Sequence, residues 1–96
     1  MIYTFHPHAE RELEEVQNYY TSIRNELGES FRLDVGTTLS RILQYPSGWQ
    51  ELSGIVRRCR LTHFPYIVLY RVKVNEIRIL AVMHQRREPK YWEYRT

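Results

Sequence analysis

The sequence predicts an α+β fold of two layers, in which an N-terminal helical hairpin packs on a mostly antiparallel sheet of about four strands. Three observations carry that expectation. Apolar residues recur at spacings of three and four from Ala9 to Leu43, which is the period of an amphipathic helix. From Ile55 to His84 they alternate or run in β-branched and aromatic blocks, which is the pattern of strands. The stretch YPSGW at 45–49 separates the two regimes with turn-forming residues.

Each element has its own signal. Residues 2–5, IYTF, read as a short strand, and Pro7 marks the first turn of a helix, where a missing N–H costs no intrahelical bond. Ala9, Leu13, Val16, Tyr20, Ile23 and Leu27 form one apolar stripe, with Glu10, Glu14 and Arg24 on the opposite side. Gly28 is expected to stop this helix, because a left-handed glycine commonly follows the last helical turn. The period restarts at ESF with Phe31, Val35, Leu39, Ile42 and Leu43. Leu13, Val16, Tyr20, Phe31, Val35 and Leu39 are therefore predicted core.

In the strand beginning at Ile55, Val56, Arg58, Arg60 and Thr62 share one face. Ile55, Arg57, Cys59 and Leu61 share the other, more apolar one, which should meet the helices. A slip of one residue would exchange Arg57 with Arg58. YIVLYRVKV at 66–74 and EIRILAVMH at 76–84 read as an antiparallel hairpin with its tight turn at Asn75–Glu76. In the last run both alternating sets are largely apolar, as expected for a strand covered on both sides. The sheet face away from the helices is expected to be available for contact.

Composition bounds the rest. Hydrophobic residues are 43% and charged residues 26% of the chain, ordinary globular usage that argues against wholesale disorder and for a single domain over 1–96. A formal charge of +3 is unevenly spread. Seven of the eleven acids lie in residues 9–34, whereas residues 55–96 carry ten lysines and arginines against three acids. Such asymmetry points to an anionic or acidic partner. The N-terminus has no basic segment followed by an apolar run, and no stretch reaches the roughly 18 apolar residues of a membrane span, so a cytoplasmic protein without membrane contact is expected. Cys59, alone of its kind, sits in an alternating run and is expected to be a small buried residue. His6, His8, His63 and His84 have no paired metal-ligand spacing, so neither a metal nor a cofactor is expected.

Several ordered segments carry a resemblance. F-x-P-x-A-x-x-E-L from Phe5, the tyrosine pair at 19 and 20, LGESF at 27–31, PSGW at 46–49, RRCRLTHFPYIVLYRV at 57–72 and ILAVMHQRREPKYW at 79–92 together resemble the RelE/ParE superfamily of bacterial toxins from type II toxin–antitoxin modules. The resemblance spans nearly the whole chain and is most specific at the closing H-x-R-R-x-P-x-Y-W. It implies a toxin neutralised by a cognate antitoxin, with operator DNA reached only through that antitoxin.

The superfamily has two target classes with different chemical needs. RelE-like members cut messenger RNA on the ribosome, which calls for a base at the ribose hydroxyl, an acid at the leaving oxygen and cations at the phosphorane. By this resemblance the catalytic positions fall on Arg58 and Arg60, on Arg86 or Arg87, and on Tyr91, with His84 or His63 as the proton carrier. The pattern's middle-strand arginine falls on Ile67, and arginine cannot replace lysine in proton transfer. ParE-like members bind DNA gyrase and need only a contact surface, for which Arg57, Arg58, Arg60, His63, Arg86, Arg87 and Tyr91 are the candidates. Ile67 favours this second reading. A non-toxic nucleic-acid-binding module is a third, in which the arginines meet phosphates and aromatic rings stack on bases. Trp92 is expected to pack on the sheet.

Overall fold

The computed structural model describes residues 1–87 and 90–96, so Pro89 of the closing motif lies outside the described residues. The chain runs β1 (Ile2–Phe5), α1 (Pro7–Ile23), α2 (Asn25–Gln44), β2 (Gln50–Ser53), β3 (Val56–Arg60), β4 (Tyr66–Lys73) and β5 (Glu76–His84). The sheet has five strands in the order β1-β5-β4-β3-β2. Every neighbouring pair is antiparallel except β1 with β5, which pair in parallel from Ile2↔Glu76 to Phe5↔Ile79.

The start of α1 follows the expected chemistry. Pro7 stands at its first position, and the His6 ring accepts a hydrogen bond from the His8 amide at 3.1 Å, satisfying one of the helix's unpaired donors. The break between the helices does not follow it. Gly28 lies inside α2, and the chain turns at Arg24, whose backbone is extended at φ −166°. Gly28 is instead a point of close approach: a Cβ there would overlap the Thr21 hydroxyl and lie 3.0 Å from Thr21's Cα on α1. Gly28→Ala is therefore expected to destabilise the protein by about 1–3 kcal/mol despite alanine's better helix propensity. Urea unfolding would measure it, and a neutral or stabilising result would remove the close approach as the reason for glycine.

The helices cover one face of the sheet. Phe31, Val35, Leu39 and Ile42 of α2, with Ala9 of α1, meet Cys59, Leu61, Val68, Tyr70, Ile77, Ile79 and Val82. Leu13, Val16 and Tyr20, predicted as core, border it and are only partly buried. Cys59 is buried at 1% exposure, as its alternation predicted. Tyr70 is fully enclosed, and its hydroxyl donates to the Pro46 carbonyl at 2.7 Å.

The opposite face is only partly open. Val56, Ile67, Leu69, Leu80, Ala81 and Met83 form a second apolar cluster, closed by Trp92, which is 4% exposed. The C-terminal segment thus covers the β4–β5 half, leaving the β3 half to the arginines.

Two irregularities set the sidedness of the strands. Leu69 pairs with Ala81 but Tyr70 pairs with Ile79, so Leu80 is an extra residue in β5. This bulge inverts the alternation: Ile77 and Ile79 face the helices, whereas Ala81 and Met83 face away. The β4–β5 turn consists of Val74 and Asn75, with Asn75 at φ 64°, a left-handed conformation that asparagine tolerates.

Candidate functional site: an arginine cavity on the open sheet face

The register settles which arginines share the open face. Arg60 pairs with Ile67 and Arg58 with Leu69, both members of the cluster away from the helices. Arg86 reaches the same place from the turn after β5. Arg58, Arg60, Ile67, Gln85 and Arg86 line a cavity of about 350 Å³ floored by Ile67, which is 4% exposed.

Neutral groups orient these cations. Arg58 Nε donates to Gln50 Oε1 at 3.0 Å, and Arg60 Nη2 donates to Gln85 Oε1 at 3.1 Å. Gln85 is itself anchored through its amide to the Pro65 carbonyl at 2.9 Å. The Arg86 amide donates to His84 Nδ1 at 3.1 Å. None of the three guanidinium groups forms an ion pair with a carboxylate among the described residues. The cavity therefore gathers three cationic groups, with the Arg58 and Arg60 side chains held by glutamines.

The other predicted residues lie elsewhere. Arg57 is on the helix side of β3, where it donates to the Trp49 carbonyl at 2.7 Å and to Glu51 Oε1 at 3.2 Å. His63 is exposed in the β3–β4 turn, with its amide donating to Asp34 Oδ2 at 2.7 Å. His84 follows the bulge's inverted alternation, so its half-buried ring stands edge-on to Tyr66 with centroids 5.2 Å apart. His84, Arg87 and Tyr91 line a separate cavity of about 190 Å³, which they share with Glu12, Glu15 and Tyr66. The Tyr91 hydroxyl donates to Glu12 Oε2 at 2.8 Å, and the Arg87 guanidinium lies 4.3 Å from the Tyr91 ring centroid. Burial, then the adjacent Glu12 carboxylate, raises the Tyr91 phenol's pKa above its ordinary value. The five positions proposed for a nuclease thus divide between two cavities: Arg58, Arg60 and Arg86 in one, His84 and Tyr91 in the other.

Several working residues escaped the sequence reading. Glu12 and Arg95 form a largely buried ion pair with Nη1 to Oε1 at 2.9 Å, and Arg95 Nη1 also donates to the Leu80 carbonyl at 2.9 Å. The signal for Glu12 was present, since it is the glutamate of F-x-P-x-A-x-x-E-L. Asp34, buried at 4% exposure, stands three positions after Phe31 on the apolar face itself, with nothing in the sequence to show its partners. Among the described residues no group of three histidines, cysteines or acids is placed to hold a metal, and no helix is long and apolar enough to cross a membrane.

Comparison with known proteins adds an independent line. A family model described as the ParE toxin of type II toxin–antitoxin system, parDE, matches residues 3–89. Among solved structures, a chain of the chromosomal ParDE toxin–antitoxin system from P. aeruginosa superposes with a TM-score of 0.74. That alignment covers 88% of this chain and 95% of the other at 20% identity, a likeness of fold. The curated proteins gave no match.

Proposed function

Because the chain belongs to the ParE toxin family of type II toxin–antitoxin systems, we propose that it arrests bacterial growth by binding DNA gyrase in the cytoplasm and is neutralised by a cognate antitoxin. Operator DNA is reached through that antitoxin. One observation carries the choice of gyrase over a ribosome-dependent cut: the cavity of Arg58, Arg60 and Arg86 is floored by Ile67 and, among the described residues, is lined by no group able to exchange a proton near neutral pH. Guanidinium groups stay charged, and the glutamine amide does not titrate. Of the proton carriers named from the sequence, His84 and Tyr91 line the other cavity, where the Tyr91 hydroxyl donates to Glu12, and His63 stands exposed in the β3–β4 turn. What remains is a cationic contact surface, suited to recognition.

The test sets messenger-RNA cleavage on programmed ribosomes beside gyrase-mediated DNA breakage, using the wild type and an Arg60→Ala, His84→Ala double variant. Gyrase-dependent breaks without cut transcripts are expected. Removing Arg60 as an interface contact should cost on the order of 1–2 kcal/mol of binding. Specific transcript cuts that disappear in the double variant would overturn the reading in favour of a ribosome-dependent endonuclease. Co-expression with the adjacent reading frame is the separate check for the antitoxin, and a stable complex is expected.

A further inference from the structure

The cationic surface does not stop at the open face. β2 begins with Gln50, paired to Arg58, so no strand pairs with the outer edge of β3 at Cys59 and Arg60. A second cavity of about 190 Å³ opens there, lined by Arg41, Trp49, Gln50, Arg58, Cys59 and Arg60. It shares Arg58 and Arg60 with the first. Arg41 comes from the last turn of α2 and is held only by neutral groups. Its Nη1 donates to Thr62 Oγ1 at 2.8 Å, and its Nη2 donates to the Arg60 carbonyl at 2.8 Å and to Cys59 Sγ at 3.4 Å. Its guanidinium lies 5.2 Å from the Trp49 ring centroid, and Trp49 Nε1 donates to the Arg41 carbonyl at 3.2 Å. The acids of the neighbouring segments are engaged elsewhere, Glu51 by Arg57 and Asp34 by the amides of Thr62 and His63.

We infer that Arg41 and Trp49 carry the arginine cavity around the open edge of β3, making a track for a single nucleic-acid strand. Phosphates pass from Arg86 by Arg60 and Arg58 to Arg41, and an unpaired base stacks beside Trp49. Four guanidinium groups, none ion-paired with a described carboxylate, face the track: Arg58, Arg60 and Arg86 keep paired N–H donors of the kind that recognise phosphate, and Arg41 adds its charge and the Nη1 hydrogen that its own contacts leave. The half-buried indole at the end of the row packs on the core and carries the Arg41 guanidinium over its ring, and the part of it that lines the cavity offers an aromatic surface of the kind that unpaired bases use and that a duplex, with its bases already stacked, does not. An acidic peptide would use the arginines but gives the tryptophan no role, so a nucleic-acid strand fits better.

This inference rests on the gyrase reading only in that the toxin would meet its target together with DNA. The test therefore contains no gyrase. Binding of the full-length protein to labelled thymidine and uridine oligonucleotides and to a matched DNA duplex is followed by anisotropy over a range of salt. Single strands should bind more tightly than the duplex, with log affinity falling against log salt at a slope of about −3 for four phosphate contacts. Arg41→Gln should reduce that slope by about 0.7, and Arg41→Lys should retain it. Trp49→Leu should weaken single-strand binding by roughly tenfold or more while leaving the slope unchanged. Thermal melting of each variant identifies loss of fold, and the Arg41 pair decides the matter if Trp49→Leu does not fold. Absence of salt-dependent single-strand binding would overturn the proposal. So would equal losses in Arg41→Lys and Arg41→Gln, duplex preference, or a polyglutamate peptide that outcompetes the oligonucleotides. Failure here would leave gyrase poisoning standing, and failure of gyrase poisoning would leave oligonucleotide binding measurable.

Discussion

Replacing Glu12 with alanine should destabilise the protein by about 3–5 kcal/mol, because it strands a buried cation. The Glu12 carboxylate accepts from the Val82 amide at 3.1 Å, from the Tyr91 hydroxyl at 2.8 Å and from both terminal nitrogens of Arg95 at 2.9 and 3.1 Å. Arg95 has a side-chain exposure of 5% and also satisfies the Leu80 carbonyl, so without Glu12 its charge has neither water nor a counter-ion. The geometry has a cause in the sheet. β1 ends at Phe5, and beyond it the edge of β5 has no strand partner. Glu12 and Arg95 take up the Val82 donor and the Leu80 acceptor that a further strand would have used. Arg95→Met should cost less than Glu12→Ala, since it removes the charge and leaves Glu12, 21% exposed, with water and two remaining donors. Urea unfolding followed by tryptophan fluorescence would measure both. A Glu12→Ala loss below 1 kcal/mol, or a larger loss for Arg95→Met, would show that the clamp contributes little to stability.

Asp34→Ala is the second large expected loss, about 2–4 kcal/mol, for a different reason. This carboxylate is buried on α2 and accepts the Thr62 amide on Oδ1 at 3.2 Å and the His63 amide on Oδ2 at 2.7 Å. It fastens the β3–β4 turn to the helical layer. Alanine leaves two backbone donors without partners and a void beside α2. Asparagine should be little better, because one of its two terminal atoms becomes a donor facing a donor. Amide hydrogen exchange at Thr62 and His63 should accelerate in both variants as stability falls. Unchanged protection at both amides, with an unchanged unfolding midpoint, would remove Asp34 from this role.

The sequence made the α+β class legible because the period of its apolar residues changes near PSGW, and a change of period is a change of backbone geometry. It also placed β1, the start of α1 at Pro7, the β4–β5 hairpin and the split of Arg58 and Arg60 from Cys59. What stayed hidden depended on tertiary contact. The stripe through Ile23 and Leu27 is continuous across a break at Arg24, which no glycine or proline announces, while Gly28 is spent on packing against Thr21. β2 was missed because only Leu52 of QELS is even half-buried, leaving no alternation to read. The parallel pairing of β1 with β5 joins segments too far apart for any local signal. The bulge at Leu80 has no signature of its own, and it alone moves His84 to the face opposite Arg60. Of the five nuclease candidates, Arg58, Arg60 and Arg86 share one cavity, and His84 and Tyr91 line another.

The pairing of the first strand with the last also governs how the protein comes into being. Ile2 meets Glu76, and Glu12 meets Arg95 across 83 positions of chain, so the contacts that close the sheet join the two ends of the sequence. Contacts of that range are entropically costly to bring together and slow the search for the native state. At about 5–20 residues per second of synthesis, the N-terminal strand and the acid of α1 wait several seconds before their partners exist. During that interval α1 and α2 can pair with each other, but the apolar surface meant for β5 is bare. Until β5 is made the chain carries that apolar surface uncovered, and the arginine cavity, whose Arg86 follows β5, is completed only afterwards.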